Sequence, residues 1–276
     1  MNSMIAEKIH LKYEPVSITL SDDKPDNAVE FKPGKFACVM SLLATAVKGR
    51  AAVGSRSSIG CPGGGTGLGF GNQFSNLPGG VETFCRFLST GAEGDEAAMQ
   101  ITETIRPFLN EEAYDNFRHG ERYRKTPELV KEFLNLLPIT EIPTQYVVFK
   151  PLKDIDPVQE LPYVVVFLVD VDQLAALVVL ANYASESNES VFIPHAAGCQ
   201  SIGIYPFREA QSDKPRAVIG MVDISARVQM RRQLKDDVMS FAVPFTLFKE
   251  MEENVPGSFL ERRSWKELMK LKGLED

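Results

Sequence analysis

Hydrophobic and polar positions change period along this chain, from two to about 3.6 and back, and the changes divide it into elements. Residues 15–20 alternate apolar and polar side chains, as a half-buried strand does. A polar loop containing proline and glycine follows over residues 21–34. Residues 36–47 predict a helix with apolar side chains on nearly every face, stopped by Gly49. Residues 51–55 predict a short strand. Helical periodicity runs through residues 79–136, where 81–88, 95–105 and 127–137 stand out as separate helices. Pro107 marks a turn or kink, and Thr126 followed by Pro127 is a helix start. Strand character returns at 145–149. Residues 163–169 are apolar without alternation, as a strand covered on both faces would be. Asp170 or Asp172 caps a helix over 173–184. Residues 190–193 predict a strand ended by Pro194, and a helix follows toward Tyr205. Further strands fall at 217–222 and 239–243, and the chain ends in helices that include 265–271.

This order predicts an α/β fold, with mixed α+β as its variant, in a single domain over residues 1–276. Two stretches of the pattern run alike. Strand 15–20, helix 36–47, strand 51–54 and Gly60-Cys61 match strand 163–169, helix 173–184, strand 190–193 and Gly198-Cys199. The match predicts two pseudo-repeated strand–helix–strand–Cys halves around a shared sheet, at about 13–78 and 160–210. A helical insert at about 79–138 separates them, and about 244–276 forms a helical end. A twofold relation between the halves would bring Cys61 and Cys199 to one central site. Chance alignment of two Gly-Cys pairs is the alternative.

Composition narrows the class. A 276-residue chain with 44% hydrophobic and 24% charged residues suits a soluble globular protein. Its net charge of −7 argues against a nucleic-acid-binding surface. Basic residues gather at Arg227, Arg231, Arg232 and Lys235 and again at Arg262, Arg263, Lys266, Lys270 and Lys272, and read as solvated helix faces. No basic stretch followed by an apolar one opens the chain. Its strongest apolar run, residues 174–183, is about half a membrane span. These features predict a cytoplasmic protein without nucleic-acid or membrane partners, and they leave a homo-oligomer open. In a reducing compartment Cys38, Cys61, Cys85 and Cys199 read as thiols or ligands rather than bridges.

The densest chemical signal is Gly60-Cys61-Pro62-Gly63-Gly64-Gly65-Thr66-Gly67-Leu68-Gly69-Phe70-Gly71, seven of whose twelve positions are glycine. Glycine lacks Cβ, so backbone N–H groups there can approach a ligand closely. The stretch predicts a loop that floors a binding site and leads into a helix. Gly63, Gly64 and Gly65 are its candidate cofactor-binding residues, and Arg50 and Arg56 add positive charge nearby. A tight loop packed on another backbone is the structural alternative. No lysine follows as a P-loop requires, and no glycine triple has the dinucleotide spacing, so ATP hydrolysis and Rossmann-type NAD binding are set aside.

Cys61 and Cys199 each stand beside a glycine at an element junction. With Cys38 they form the candidate metal-ligand set, for an iron–sulfur cluster or a soft metal gathered from separate segments. No C-x-x-C spacing marks a zinc finger or ferredoxin. Cys85 lies on an amphipathic helix and reads as a buried structural thiol, and Cys38 also fits core packing. His195 precedes Cys199 by four residues, so on a helix the two would share a face and could act as a Cys–His pair. His10 and His119 read as surface residues. The leading function is redox-linked or metal binding. A small-molecule or anion-binding module on the glycine loop and a thiol-dependent enzyme are the alternatives, so whether the protein is an enzyme stays open.

Pro15-Val16 in an early strand, Cys38 in an early helix, Cys61-Pro62-Gly63-Gly64 with Leu68-Gly69, and the later Gly198-Cys199-Gln200-Ser201 together resemble the family of domain of unknown function 169, the ArCR proteins. The likeness covers roughly residues 10–250, and Cys-x-Gly-Gly followed by Leu-Gly is its most specific part. The resemblance implies a soluble protein of a kind found in many anaerobic bacteria and archaea, with Cys38, Cys61, Gly63 and Gly64 in the recurring motif. It carries over no activity. The segment Arg56-Ser57-Ser58-Ile59-Gly60 departs from relatives that place an acidic residue and a histidine before the cysteine.

Overall fold

A computed structural model describes residues 1–33 and 36–274. Gly34, the end of the expected loop at 21–34, lies outside the described residues, as do Lys35, Glu275 and Asp276. The strands are β1 (Val16–Ser21), β2 (Val29–Glu30), β3 (Ala52–Ser55), β4 (Tyr146–Pro151), β5 (Val164–Val169), β6 (Val191–Phe192), β7 (Ala217–Gly220) and β8 (Met239–Pro244). The first helices are α1 (Met4–Lys8), α2 (Met40–Val47), α3 (Pro62–Gly67), α4 (Gly80–Leu88), α5 (Glu96–Ile105), α6 (Glu111–His119) and α7 (Pro127–Asn135). They are followed by α8 (Val171–Ala181), α9 (Gly198–Ile202), α10 (Ile204–Glu209), α11 (Ile224–Leu234), α12 (Phe245–Glu253) and α13 (Arg263–Leu271). The fold is mixed α/β. Among the described residues no helix is long and apolar enough to cross a membrane.

Contacts divide the chain into two compact units. Unit 1 comprises Met1–Glu30, Cys38–Ser55 and Pro143–Asp276, and unit 2 comprises Phe31–Ala37 and Arg56–Ile142.

Unit 1 holds one eight-stranded sheet among the described residues, in the order β2-β3-β4-β1-β5-β8-β7-β6. The unbroken apolar run expected for a covered strand is β5, buried at all six positions between β1 and β8. On one face Val165, Phe167, Phe241 and Val243 meet Leu177 and Leu180 of α8, Phe248 of α12, and Trp265 and Met269 of α13. Asp170 starts α8 with a capping box. Its carboxylate accepts the Asp172 and Gln173 N–H groups at 3.0 Å, and its own N–H reaches Gln173 Oε1 at 3.1 Å. Strand β6 closes one edge. Beside it Phe192 stacks under the Arg216 guanidinium at 4.3 Å, and buried Glu209 accepts hydrogen bonds from Arg216 and Arg208 at 3.0 and 2.8 Å. Burial opposes the Glu209 charge, but those donors outweigh it and hold the carboxyl below the usual glutamate range.

Three expectations need correction here. Helix α2 begins at Met40 rather than 36, because Val39 occupies the cap without a capping side chain and the Cys38 carbonyl accepts the Ser41 N–H at 2.9 Å in a turn. The two-residue strand β2 lies inside the expected loop. The expected match of strand 51–54 with strand 190–193 is not found either. β3 has β2 and β4 as neighbours, whereas β6 pairs with β7 alone. Position in a sheet is set by long-range backbone pairing, which a local pattern of apolar residues does not encode.

The pairing itself does read alike from both edges. Each edge begins with a parallel pair, β2·β3 or β6·β7. Antiparallel pairs β3·β4 and β4·β1 follow on one side, and β7·β8 and β8·β5 on the other. Antiparallel β1·β5 joins them, with Ser17 opposite Val165.

Unit 2 is helical. Thr126 caps α7 and Pro127 takes its first position, as expected. Asp95 caps α5, its carboxylate accepting the Ala98 N–H at 3.0 Å, and Pro107 falls in a short 3-10 turn after it. Helix α6 follows on an Asn110 cap. A row of rings, Phe74, Phe84, Phe87 and Phe117, runs through the unit with centroid spacings of 4.3, 5.9 and 4.6 Å.

Candidate functional site

Within the glycine-rich stretch, residues 62–67 form a helix where the sequence implied a loop leading into one. Cys61 is its N-cap, in extended geometry, and Pro62 occupies N1, where a missing N–H and a fixed φ do no harm. The Gly65 N–H closes the first turn on the Cys61 carbonyl at 2.9 Å. At the far end the Phe70 N–H reaches the Gly65 carbonyl and the Gly69 N–H reaches the Thr66 carbonyl, both at 3.0 Å, with Gly69 at φ +88°. That is a Schellman stop, and only glycine adopts its left-handed position without strain. Caps at both ends therefore impose helical geometry on residues that disfavour it. Glycine in a helix costs about 1 kcal/mol against alanine, so the four inside α3 give up roughly 4 kcal/mol between them.

Neighbouring groups fix α3 within unit 2. Thr66, fully buried, accepts the Gln73 N–H at 2.9 Å, and Gln73 Nε2 donates to the Phe70 carbonyl at 2.5 Å. Ile142 donates to the Gly69 carbonyl at 2.7 Å and Gly71 to the Thr140 carbonyl at 3.0 Å. Arg56 spans the same two runs of chain. It donates to the Phe70 and Ile142 carbonyls at 2.9 and 3.1 Å, pairs with Glu141 at 3.3 Å and covers the Phe70 ring. Its charge is committed there, at the Phe70 end of the glycine stretch. Arg50, in unit 1, is exposed.

Cys61 is the chemical group of this unit. Its sulfur accepts the Gly64 N–H at 3.4 Å while the residue stays half-buried. An N–H aimed at sulfur stabilises negative charge developing on it. Gly63, Gly64 and Gly65 are buried, so their backbone is not the open floor that the sequence implied. A methyl carbon on Gly63 would meet the Phe84 ring at 3.7 Å and the Cys61 sulfur at 3.9 Å, which are ordinary contact distances. The second thiol of the unit behaves differently. Cys85 is fully buried, and burial, with Glu82 adding, pushes its thiol up to about 11. Serine caps helices well, so Cys61→Ser is expected to keep the stability of the protein, while Cys61→Ala loses about 1 kcal/mol. Urea unfolding reads both, and equal midpoints for the two variants would mean that the sulfur caps nothing.

The other two candidate thiols belong to unit 1. Cys38 precedes α2, and Cys199 is the second residue of α9; both are half-buried. Gly198 lets three helix starts meet. A methyl carbon there would lie 2.8 Å from Ala226 Cβ and 2.9 Å from Met40 Sδ, and its N–H donates to Asp223 Oδ2 at 3.3 Å. His195 sits in a bend before α9 and is exposed, so it shares no helix face with Cys199. His119 pairs with Glu93 and Asp115 at 3.1 and 3.6 Å at the surface. The half-buried His10 gives its carbonyl to Gln173 at 3.0 Å. All four cysteines are thiols. Among the described residues no group of three or more His, Cys, Asp or Glu side chains is placed to hold a metal ion, so the set of Cys38, Cys61 and Cys199 finds no support as a metal centre.

These features define a mixed α/β protein with a thiol-capped glycine helix in its helical unit. The family of domain of unknown function 169, described as uncharacterised ArCR, matches residues 4–254. The chain belongs to that family. No curated protein and no solved structure matches it.

Proposed function

We propose that the protein is a cytoplasmic thiol-dependent binding protein whose working group is Cys61. Its ligand is a small molecule with a soft, thiol-seeking centre. The observation that carries this reading is the Cys61 sulfur, which accepts a backbone N–H at 3.4 Å beside a residue with no side chain. Glycine at 63 then serves the sulfur, by placing no side chain next to it, rather than binding a cofactor through bare backbone. Among the described residues no group of three or more His, Cys, Asp or Glu side chains is placed to hold a metal ion, which favours a covalent or weakly ligated adduct over an iron–sulfur cluster. Limiting iodoacetamide followed by peptide mapping tests the proposal. Cys61 is expected to be labelled first and Cys85 last; equal protection of both thiols would refute it.

We also infer that unit 1 is assembled from two related halves, β1–β4 and β5–β8. The strand order that reads alike from both edges supports this, as does the pairing of Ser17 with Val165 at the centre. In this correspondence Cys38 and Cys199 fall in equivalent connections, from β2 to β3 and from β6 to β7. Cys61 falls in the connection from β3 to β4, whose counterpart carries α11. A crystal structure in which the two sets of four strands fail to superpose in this order would refute the inference.

A further inference from the structure

Helices α4 and α5 of unit 2 leave a cleft of about 160 Å³ between them, which Phe117 of α6 also lines. It opens on the Glu82, Thr83 and Arg86 face of α4. Phe84, which backs Gly63 beside Cys61, stands on another face of that helix. The interior is apolar. Ala92 and Phe117 are buried, and Ala98 and Ile101 of α5 complete the wall. Two buried threonines, Thr83 and Thr102, add hydroxyls. Thr83 spends its proton on the Pro78 carbonyl at 2.7 Å, so toward a ligand its oxygen accepts.

Three charged side chains line the cleft, and two of them cancel. Arg86 Nη2 donates to Asp95 Oδ2 at 2.7 Å, and Asp95 also caps α5 through the Ala98 N–H at 3.0 Å. That N–H first, and Arg86 with it, hold the Asp95 carboxyl below the usual aspartate range. Glu82 is left over. It approaches Arg86 Nε only at 3.7 Å, past hydrogen-bond distance, and its side chain is 59% exposed. Nearby, Glu93 pairs with Arg118 and His119, and exposed Glu96 adds another negative charge. An anion would have to displace Asp95 from both a guanidinium and a helix cap. A cation meets a carboxylate that Arg86 does not neutralise. We propose that the cleft binds a small organic ammonium ion, with its charge at Glu82 and its apolar body between Ala98, Ile101 and Phe117. A cavity of roughly 150 Å³ takes up benzene, which sets the size of that body. The inference is independent of the reading of Cys61.

Benzylammonium, a benzene ring carrying one ammonium group, is the probe. Titrated into the full chain near neutral pH and followed by ligand-observed NMR, it is expected to bind with a dissociation constant on the order of 1 mM or below. Benzyl alcohol keeps the shape and loses the charge, and is expected to bind at least about fivefold more weakly. Benzoate, of opposite charge, is expected to bind more weakly still. Glu82→Gln is expected to weaken benzylammonium by about fivefold, with an unchanged circular dichroism spectrum. Ala98→Leu fills the cleft from a helix position that tolerates leucine, and is expected to abolish binding. Cys61→Ser is expected to bind the probe as the parent chain does, which separates this test from that of the thiol. Three results overturn the proposal: no binding up to about 10 mM, benzyl alcohol or benzoate binding as tightly as benzylammonium, or binding that Glu82→Gln and Ala98→Leu both leave intact.

Discussion

Gly120→Ala is expected to destabilise unit 2 by about 4 kcal/mol, a large share of what a domain of this size has. Gly120 ends α6 at φ +79°, and Gly91, shortly after α4, stands at φ +76°. The two backbones cross there with nothing between them. A methyl carbon on Gly120 would overlap the Ser89 carbonyl oxygen and lie 2.7 Å from the Gly91 nitrogen, and one on Gly91 would lie 2.5 Å from the Gly120 nitrogen. Every atom in the way is main chain, so no rotamer change relieves the contact. The crossing is also stitched by hydrogen bonds, Ala92 to the Arg118 carbonyl at 2.9 Å and Glu121 to the Phe87 carbonyl at 2.7 Å. Forcing it apart breaks these as well, and it loosens α4, whose Phe84 ring backs the glycine helix. Urea unfolding followed by far-ultraviolet circular dichroism reads the loss. A change below about 1 kcal/mol would mean that the crossing relaxes freely.

Gly63→Ala should act in the opposite sense on stability and still impair the site. Nothing stands closer than 3.7 Å to the new methyl carbon, so it replaces a poor helix former with the best one at no steric cost. Stability is expected to rise by about 1 kcal/mol. The same methyl carbon lies 3.9 Å from the Cys61 sulfur and shields one side of it. Alkylation of Cys61 is therefore expected to slow several-fold while the thermal midpoint rises. A stability–activity trade-off of this kind is the signature of a residue kept for a site rather than for packing. If Gly63→Ala reacts as fast as the parent chain, the empty space beside the sulfur has no role.

The sequence was most readable where structure is local. Thr126-Pro127 announces α7 through capping chemistry, and an aspartate at 170 or 172 announces α8, of which the structure makes Asp170 the cap and starts the helix at Val171 rather than 173. The apolar run of β5 announces a covered strand. Sheet order was not readable, because β1 meets β5 across more than a hundred intervening residues and no residue in either strand encodes its partner. The glycine helix was misread for a different reason. Propensity argues against it at four positions, and the caps that override propensity, Pro62 at one end and Gly69 at the other, were read only as part of a loop leading into a helix. The same Pro-first, Gly-last asymmetry would have marked the helix. His195 illustrates the reverse error. Four-residue spacing places two groups together only on a helix, and α9 starts after it. Most of α8 was visible within the apolar run at residues 174–183, too short to span a membrane. Only the fold separates the covered half of that run from the bare half.

The account rests on the Cys61 sulfur being held by main-chain hydrogen bonding and reachable from outside. Its most direct test compares iodoacetamide alkylation of Cys61 in the native chain with the same thiol in urea. The account predicts that Cys61 reacts at least as fast folded as unfolded, while Cys85 is protected by folding. A Cys61 that folding protects as strongly as Cys85 would contradict it.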